Sequence, residues 1–173
     1  MIKIFTTQLN GYFNRILDQE EFQIEDGARL LAQAIVGEGA IYIYGSHEMA
    51  GILNEALYGA EPLRYVKPLK NLDDITQTDR VLLFSRFSHD DDVIEKAKQL
   101  SQKGISMVGV STIIDHKGES LEEYVDIHID TKLKKPLIPT DDGSRTGFPS
   151  LMLSLYVYYC LTFTLKEILS EYE

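Results

Sequence analysis

Two short stretches of this 173-residue chain carry side chains able to handle an anion: Gly45-Ser46-His47-Glu48, and Ser85-Arg86-Phe87-Ser88-His89. Each follows an apolar, β-prone run, Ile41 to Tyr44 in the first case and Arg80 to Phe84 in the second. Gly45 lets the backbone approach a ligand, and the helix expected after it offers free N–H groups. Ser46, Ser85 and Ser88 bring hydroxyl donors, and Arg86 brings a cation. Each has a plainer reading as well: Ser46 as a helix N-cap, Arg86 as a solvated loop residue. Three aspartates follow, Asp90-Asp91-Asp92, and they complement the start of the next helix with or without a ligand. His47, Glu48 and His89 would make a mixed nitrogen and oxygen cluster, but no spacing such as H-x-x-x-H accompanies them. No metal and no cofactor are expected, and His116 and His128 have no chemistry-bearing neighbours in the sequence.

These stretches need a scaffold, and the hydrophobic pattern supplies one. Ile2, Phe5, Leu9, Phe13, Ile16 and Leu17 form one helical stripe, and Ile24, Ala28, Leu31 and Ile35 a second, stopped by Gly37 and Gly39. Strands are expected over 41–44, 63–66, 80–84, 105–110 and 125–129, alternating with helices near 49–57 and 93–103. Pro149 opens a last long helix. Short strands without polar alternation, separated by helices, predict a three-layer α/β sandwich with a five-stranded parallel sheet, covered on both faces. One domain over 1–173 is expected, with N-terminal helices in 1–38 and the C-terminal helix in 149–173. The segment Lys132 to Pro149 reads as a long loop. Its Ser144, Arg145 and Thr146 could close over a ligand between Gly143 and Gly147, and a disordered linker accounts for the same composition.

The net charge of −10 argues against a nucleic-acid partner. One cysteine, Cys160, in an apolar stretch, predicts a buried thiol, no intrachain disulfide and a cytoplasmic protein. No signal peptide is visible, and the apolar run Leu151 to Leu165 is short of the ~20 residues a bilayer requires. It is apolar nearly all round, so a second copy of the chain is the expected cover for one face.

The order of these residues resembles the sugar isomerase (SIS) domain family. Ile24-Glu25-Asp26-Gly27-Ala28-Arg29-Leu30-Leu31 followed by Gly39 to Gly45 is similar to its opening, Asp79 to Ser85 to its third strand and phosphate loop, Val93 to Ser111 to its next helix and strand, and Tyr124 to Ile129 to its fifth strand. The long terminal helices resemble phosphoheptose isomerases in particular. The resemblance implies flavodoxin-like strand order, a homodimer built on terminal helices, and a sugar-phosphate site at the strand ends. In that family a G-x-G-x-S turn and an S-x-S-G-x-[ST] loop hold the phosphate. Carried onto this chain, the ligand set becomes Gly45, Ser46, His47, Ser85, Arg86, Ser88, His89 and Ser111, with Ser144 and Arg145 from the loop. An aldose–ketose isomerisation would need a base next to the carbonyl, and Glu48 and Glu55 are the candidates.

The chain departs from that pattern at both turns. His47 stands at the second glycine and Met49 at the serine, and a thioether cannot donate. Phe87, Ser88 and Asp90 replace serine, glycine and the final hydroxyl residue. A carboxylate ~6 Å from a unit anion repels it by about 3 kcal/mol at an effective dielectric of 20, against about 0.3–1 kcal/mol from a helix terminus. Arg86 is the natural compensator. Tyr156, Tyr158 and Tyr159 stand where a catalytic histidine of the last helix would be, and read as packing residues. Two functions therefore stand side by side. One is an SIS-like binder, or isomerase, of phosphorylated carbohydrate derivatives. The other is a non-catalytic regulatory or interaction protein with a degenerate site.

Overall fold

The computed structural model describes residues 1–172. Its first element corrects the expectation of separate N-terminal helices: α1 (Ile2–Val36) is one helix of 35 residues, about 50 Å long. The polar stretch Asp18 to Gln23 between the two stripes contains no proline or glycine, so nothing in it ends a helix.

The chain then alternates as expected: β1 (Ile41–Gly45), α2 (Ala50–Tyr58), β2 (Val66–Pro68), β3 (Arg80–Phe87), α3 (Asp91–Gln102), β4 (Met107–Thr112) and β5 (Ile127–Asp130). These five strands form one parallel sheet in the order β2-β1-β3-β4-β5. Alternate residues face opposite layers. Ile41, Ile43, Leu82, Phe84, Val108 and Val110 pack with the helices α1 and α2 and with α4 (Ser150–Ser170). Tyr42, Val81, Leu83 and Met107 meet Val93, Ala97 and Leu100 of α3 on the other side.

Strand boundaries shift from the sequence reading, β3 running on to Phe87 and β4 spanning Met107–Thr112 instead of 105–110, and the starts of the second and fifth strands shift for identifiable reasons. The second strand begins at Val66 because Leu63 to Tyr65 turns the chain, with Leu63 N–H bonded to the Ala56 carbonyl. Pro68 is tolerated inside β2 because that strand is an edge. The fifth begins at Ile127 because the Leu121 carbonyl takes Tyr124 N–H, closing a short 3₁₀ turn over Leu121–Glu123, and Val125 N–H as well.

The segment after β5 is ordered rather than a linker. It forms an antiparallel hairpin of β6 (Ile138–Pro139) and β7 (Arg145–Thr146). Asp142 organises its tip, accepting from Thr140 Oγ1 at 2.6 Å and Ser144 Oγ at 2.7 Å. Those bonds hold its carboxyl down at about 2. At the base of this segment lies a buried charge cluster that the sequence reading missed. Lys132 Nζ is 2.6 Å from Glu20 Oε1 of α1 and 3.4 Å from Asp130 Oδ2 of β5. Lys132 has φ 66°, a left-handed conformation that a non-glycine residue rarely takes. The cluster ties the middle of α1 to the end of the sheet.

On α4, Leu153, Val157, Tyr158, Leu161 and Leu165 are buried against the core, whereas Met152, Tyr159 and Phe163 are exposed. Cys160 is only half-buried, not enclosed, and burial raises its thiol pKa. Among the described residues no helix is long and apolar enough to cross a membrane.

Candidate functional site

The carboxyl ends of β1 and β3 lie side by side, with Gly45 in register with Phe84. In open α/β sheets this is where ligands bind. Beyond Gly45 the chain makes a 3₁₀ turn over His47–Met49 before α2 starts. His47 has φ 51°, so it keeps the left-handed backbone for which glycine is the default residue. Met49 is fully buried, and its side chain belongs to the core rather than to the turn's open side.

The second loop is partly strand. β3 runs on to Phe87, and its register with β4 slips between Phe84 and Phe87. This bulge folds the Ser85 hydroxyl back to donate to the Phe87 carbonyl at 2.8 Å and turns Arg86 outward. Asp90 sits at the N-cap of α3, yet its carboxylate makes no cap bond. It reaches backward to accept from Phe87 N–H at 3.4 Å.

Arg86 and Glu48 meet across these two turns. Arg86 Nε and Nη2 donate to Glu48 Oε1 and Oε2 at 2.7 and 2.8 Å, a bidentate fork. Ser150 Oγ, at the start of α4, donates to Glu48 Oε1 at 2.8 Å. Burial works against the Glu48 carboxylate, but the Arg86 and Ser150 hydrogen bonds outweigh it and hold its pKa below the usual value. The Glu48 fork raises Arg86 in turn. Glu48, Arg86, Phe87, Phe148 and Ser150 line an open cleft of about 270 Å³. Two larger grooves, of about 610 and 570 Å³, lie elsewhere, along the outer surfaces of α1 and α4. The first is lined by the ends of α1 and α4 and by the Pro62 to Tyr65 segment, the second by α1 and α4, and neither includes the carboxyl ends of β1 and β3, so the smaller cleft is the candidate site.

The predicted hydroxyls stand differently from the expected set. Ser46, Ser85, Ser88 and Ser111 are all essentially buried. Among the described residues the Ser46 and Ser88 hydroxyls find no hydrogen-bond partner, although Ser46 is near enough to Asp92 to favour its charged form. Ser111 Oγ is 2.7 Å from His128 Nε2, and burial keeps that imidazole below its ordinary pKa despite the charges of Glu122 and Asp130. Asp92 instead pairs with Lys96 at 2.7 Å and accepts from the Tyr44 hydroxyl. Burial and that bond push Tyr44 up to about 12.

Glu55 lies at the far end of α2, accepting from Tyr159 Oη at 2.5 Å, and does not join Glu48. Arg145 donates to the carbonyls of Pro136 and Leu137 at 2.7 and 2.9 Å, and Ser144 belongs to the Asp142 turn, so neither is aimed at the cleft. His89 does not meet His47 and Glu48 in a cluster. It stacks between Phe87 and His116, with centroids 5.6 and 4.6 Å away. Both His116 and His128 therefore have partners the sequence did not reveal. Among the described residues no three His, Cys, Asp or Glu side chains converge as a metal site. Phe148 and Ser150 were missed as cleft residues, and their one sequence signal is position, flanking the proline that opens the last helix.

The sheet order, the two covered faces and the long terminal helices define a three-layer α/β fold with flavodoxin-like strand order and a cleft at its strand ends. The chain belongs to the family described as Domain of unknown function (DUF2529), whose model matches residues 1–169. It is 51% identical over 173 residues to the Bacillus subtilis (strain 168) protein described as "Uncharacterized protein YwjG", covering 99% of both chains. Among solved structures it is similar to a phosphoheptose isomerase from Francisella tularensis, with a TM-score of 0.55, 12% identity, and 94% and 98% of the two chains covered. The Vibrio vulnificus NanR protein complexed with ManNAc-6P gives a TM-score of 0.59 at 12% identity, over 98% of this chain and 67% of that one.

Proposed function

We propose that the protein binds a small phosphorylated carbohydrate derivative in the cleft over β1 and β3, and that it holds this ligand without isomerising it. The bidentate pair of Arg86 and Glu48 carries the reading. It puts a guanidinium beside the loop where SIS-like proteins take phosphate, and Phe87 and Phe148 add apolar faces suited to the C–H side of a sugar. The cleft falls just below the ~300–1,000 Å³ of drug-sized sites, in keeping with a small ligand. The same pair argues against catalysis. A general base works best with a pKa near the operating pH, and Glu48 is held below the ordinary carboxylate value.

A thermal-shift screen of sugar phosphates tests this, with ManNAc-6P, the compound in the Vibrio vulnificus complex, as the first choice. At about 100 times Kd a ligand adds ~2.7 kcal/mol, or roughly 5–10 °C for a domain of this size. Arg86→Ala is expected to remove that shift, and an aldose–ketose assay is expected to show no turnover. Absence of any shift across sugar phosphates would reject the binding reading. Turnover would reject the non-catalytic part.

The second reading, a regulatory or interaction protein whose phosphate site has decayed, is favoured by one observation. The four predicted loop and strand-end hydroxyls are buried or bonded within the protein, not presented to the cleft. A homodimer is part of either reading, because Met152, Tyr159 and Phe163 leave an apolar stripe on α4 in water. Light scattering at micromolar concentration should return twice the chain mass, and the monomer mass would contradict it. A cytoplasmic location accords with an acidic chain bearing a single cysteine.

A further inference from the structure

Glu48 stands where a ligand's anion would stand. Its two oxygens take both arms of the Arg86 fork, and one of them also takes the Ser150 hydroxyl. A guanidinium fork plus a hydroxyl is also how a phosphoryl group is held. Arg86 is the one cation among the described residues lining the cleft, so an incoming anion has no other charge partner there. Asp90 adds its negative charge beside the same guanidinium. The Arg86 and Glu48 side chains are 44% and 27% exposed, so partners can exchange without unfolding.

Building on the binding function proposed above, we infer that Glu48 occupies the anion subsite of Arg86 in the free protein, and that a phosphoryl-bearing ligand binds by displacing it. Glu48 is thus an internal competitor rather than a ligand contact. Arg86 is held in its fork geometry before the ligand arrives, and only groups able to outcompete a tethered carboxylate are admitted. Uncharged sugars, which cannot take the fork from Glu48, are excluded by the same contact.

Calorimetry with inorganic phosphate on the whole chain tests this, comparing wild type, Glu48→Gln and Glu48→Gln with Arg86→Gln. The amide keeps the size of the side chain and an acceptor for Ser150 while removing the competing charge. Glu48→Gln is expected to bind phosphate at least about five-fold more tightly than wild type, and the double variant to lose binding. Equal or weaker binding by Glu48→Gln, with wild type still binding, overturns the displacement while leaving the proposed function intact. Loss of binding in both overturns the two together. Should Glu48→Gln fail to fold, carboxyl-carbon NMR of wild type gives the same answer. Phosphate should raise the titration midpoint of Glu48 as its fork is withdrawn, and an unmoved midpoint at saturating phosphate overturns the inference.

Discussion

Gly45→Ala is expected to lower the melting temperature by roughly 10 °C and to abolish any ligand-induced shift. A Cβ at position 45 would lie 2.1 Å from the Met49 carbonyl oxygen and 2.3 Å from its carbon. Neither neighbour can give way cheaply, since both are backbone atoms. Met49 is fully buried, and Ser46 N–H is bonded to the Phe84 carbonyl on the other side of the turn. Opening the turn therefore means moving β1 against β3 or withdrawing Met49 from the core. Overpacking at a site that cannot relax costs about 3 kcal/mol, and each kcal/mol is worth ~2–4 °C at this chain length. The turn carries Glu48, so the fork to Arg86 should be lost with it. Gly11→Ala provides the control, because nothing lies within 4 Å of its Cβ and it sits on the exposed face of α1. It should stabilise the helix by up to about 1 kcal/mol. Urea denaturation of the two variants gives the comparison, and a Gly45→Ala midpoint equal to that of wild type would show that the turn is not tightly packed.

Lys132→Met is expected to cost about 3 kcal/mol. The thioether fills the space of the lysine stem but leaves Glu20 and Asp130, with side chains only 10% and 12% exposed, without their cation. Stranding a buried charge costs more than the pair itself contributes. The pH dependence separates this from a packing defect. Burial works to lower the Lys132 pKa, but hydrogen bonding to Glu20 and the charges of Asp130 and Glu20 outweigh it and raise it above the ordinary lysine value. A raised lysine contributes stability that is fully present below its unfolded value and lost as pH rises through the folded one. Wild type should therefore weaken above about pH 10.5 in a way that Lys132→Met does not. Lys132→Gly separates the backbone from the charge, since it relieves the φ of 66° while losing the same cation. Parallel alkaline losses in wild type and Lys132→Met would place the effect elsewhere.

Most of the scaffold was legible before any tertiary structure. The strands are short apolar runs bounded by glycine, proline or polar turns, and a parallel sheet buried on both faces leaves that mark on a sequence. Gly45 and the opening of α4 after Pro149 could be read for the same reason, because glycine and proline act on the backbone locally. The continuity of α1 was missed because a polar stretch between two apolar stripes looks like a linker. In the folded chain one of its residues, Glu20, faces inward toward Lys132.

The sequence alone therefore determined the order of elements and the place of Gly45 at the carboxyl end of β1. Tertiary structure decided what the remaining residues do. Arg86 finds Glu48 38 positions away, and Ser150 reaches the same carboxylate from 102 positions away. Those meetings depend on the register of β1 with β3 and on the bulge after Phe84. A local pattern records which face a residue prefers, but not which distant side chain will be waiting there. That is why the arginine read as a compensator for three aspartates proved to be the partner of the glutamate read as a base.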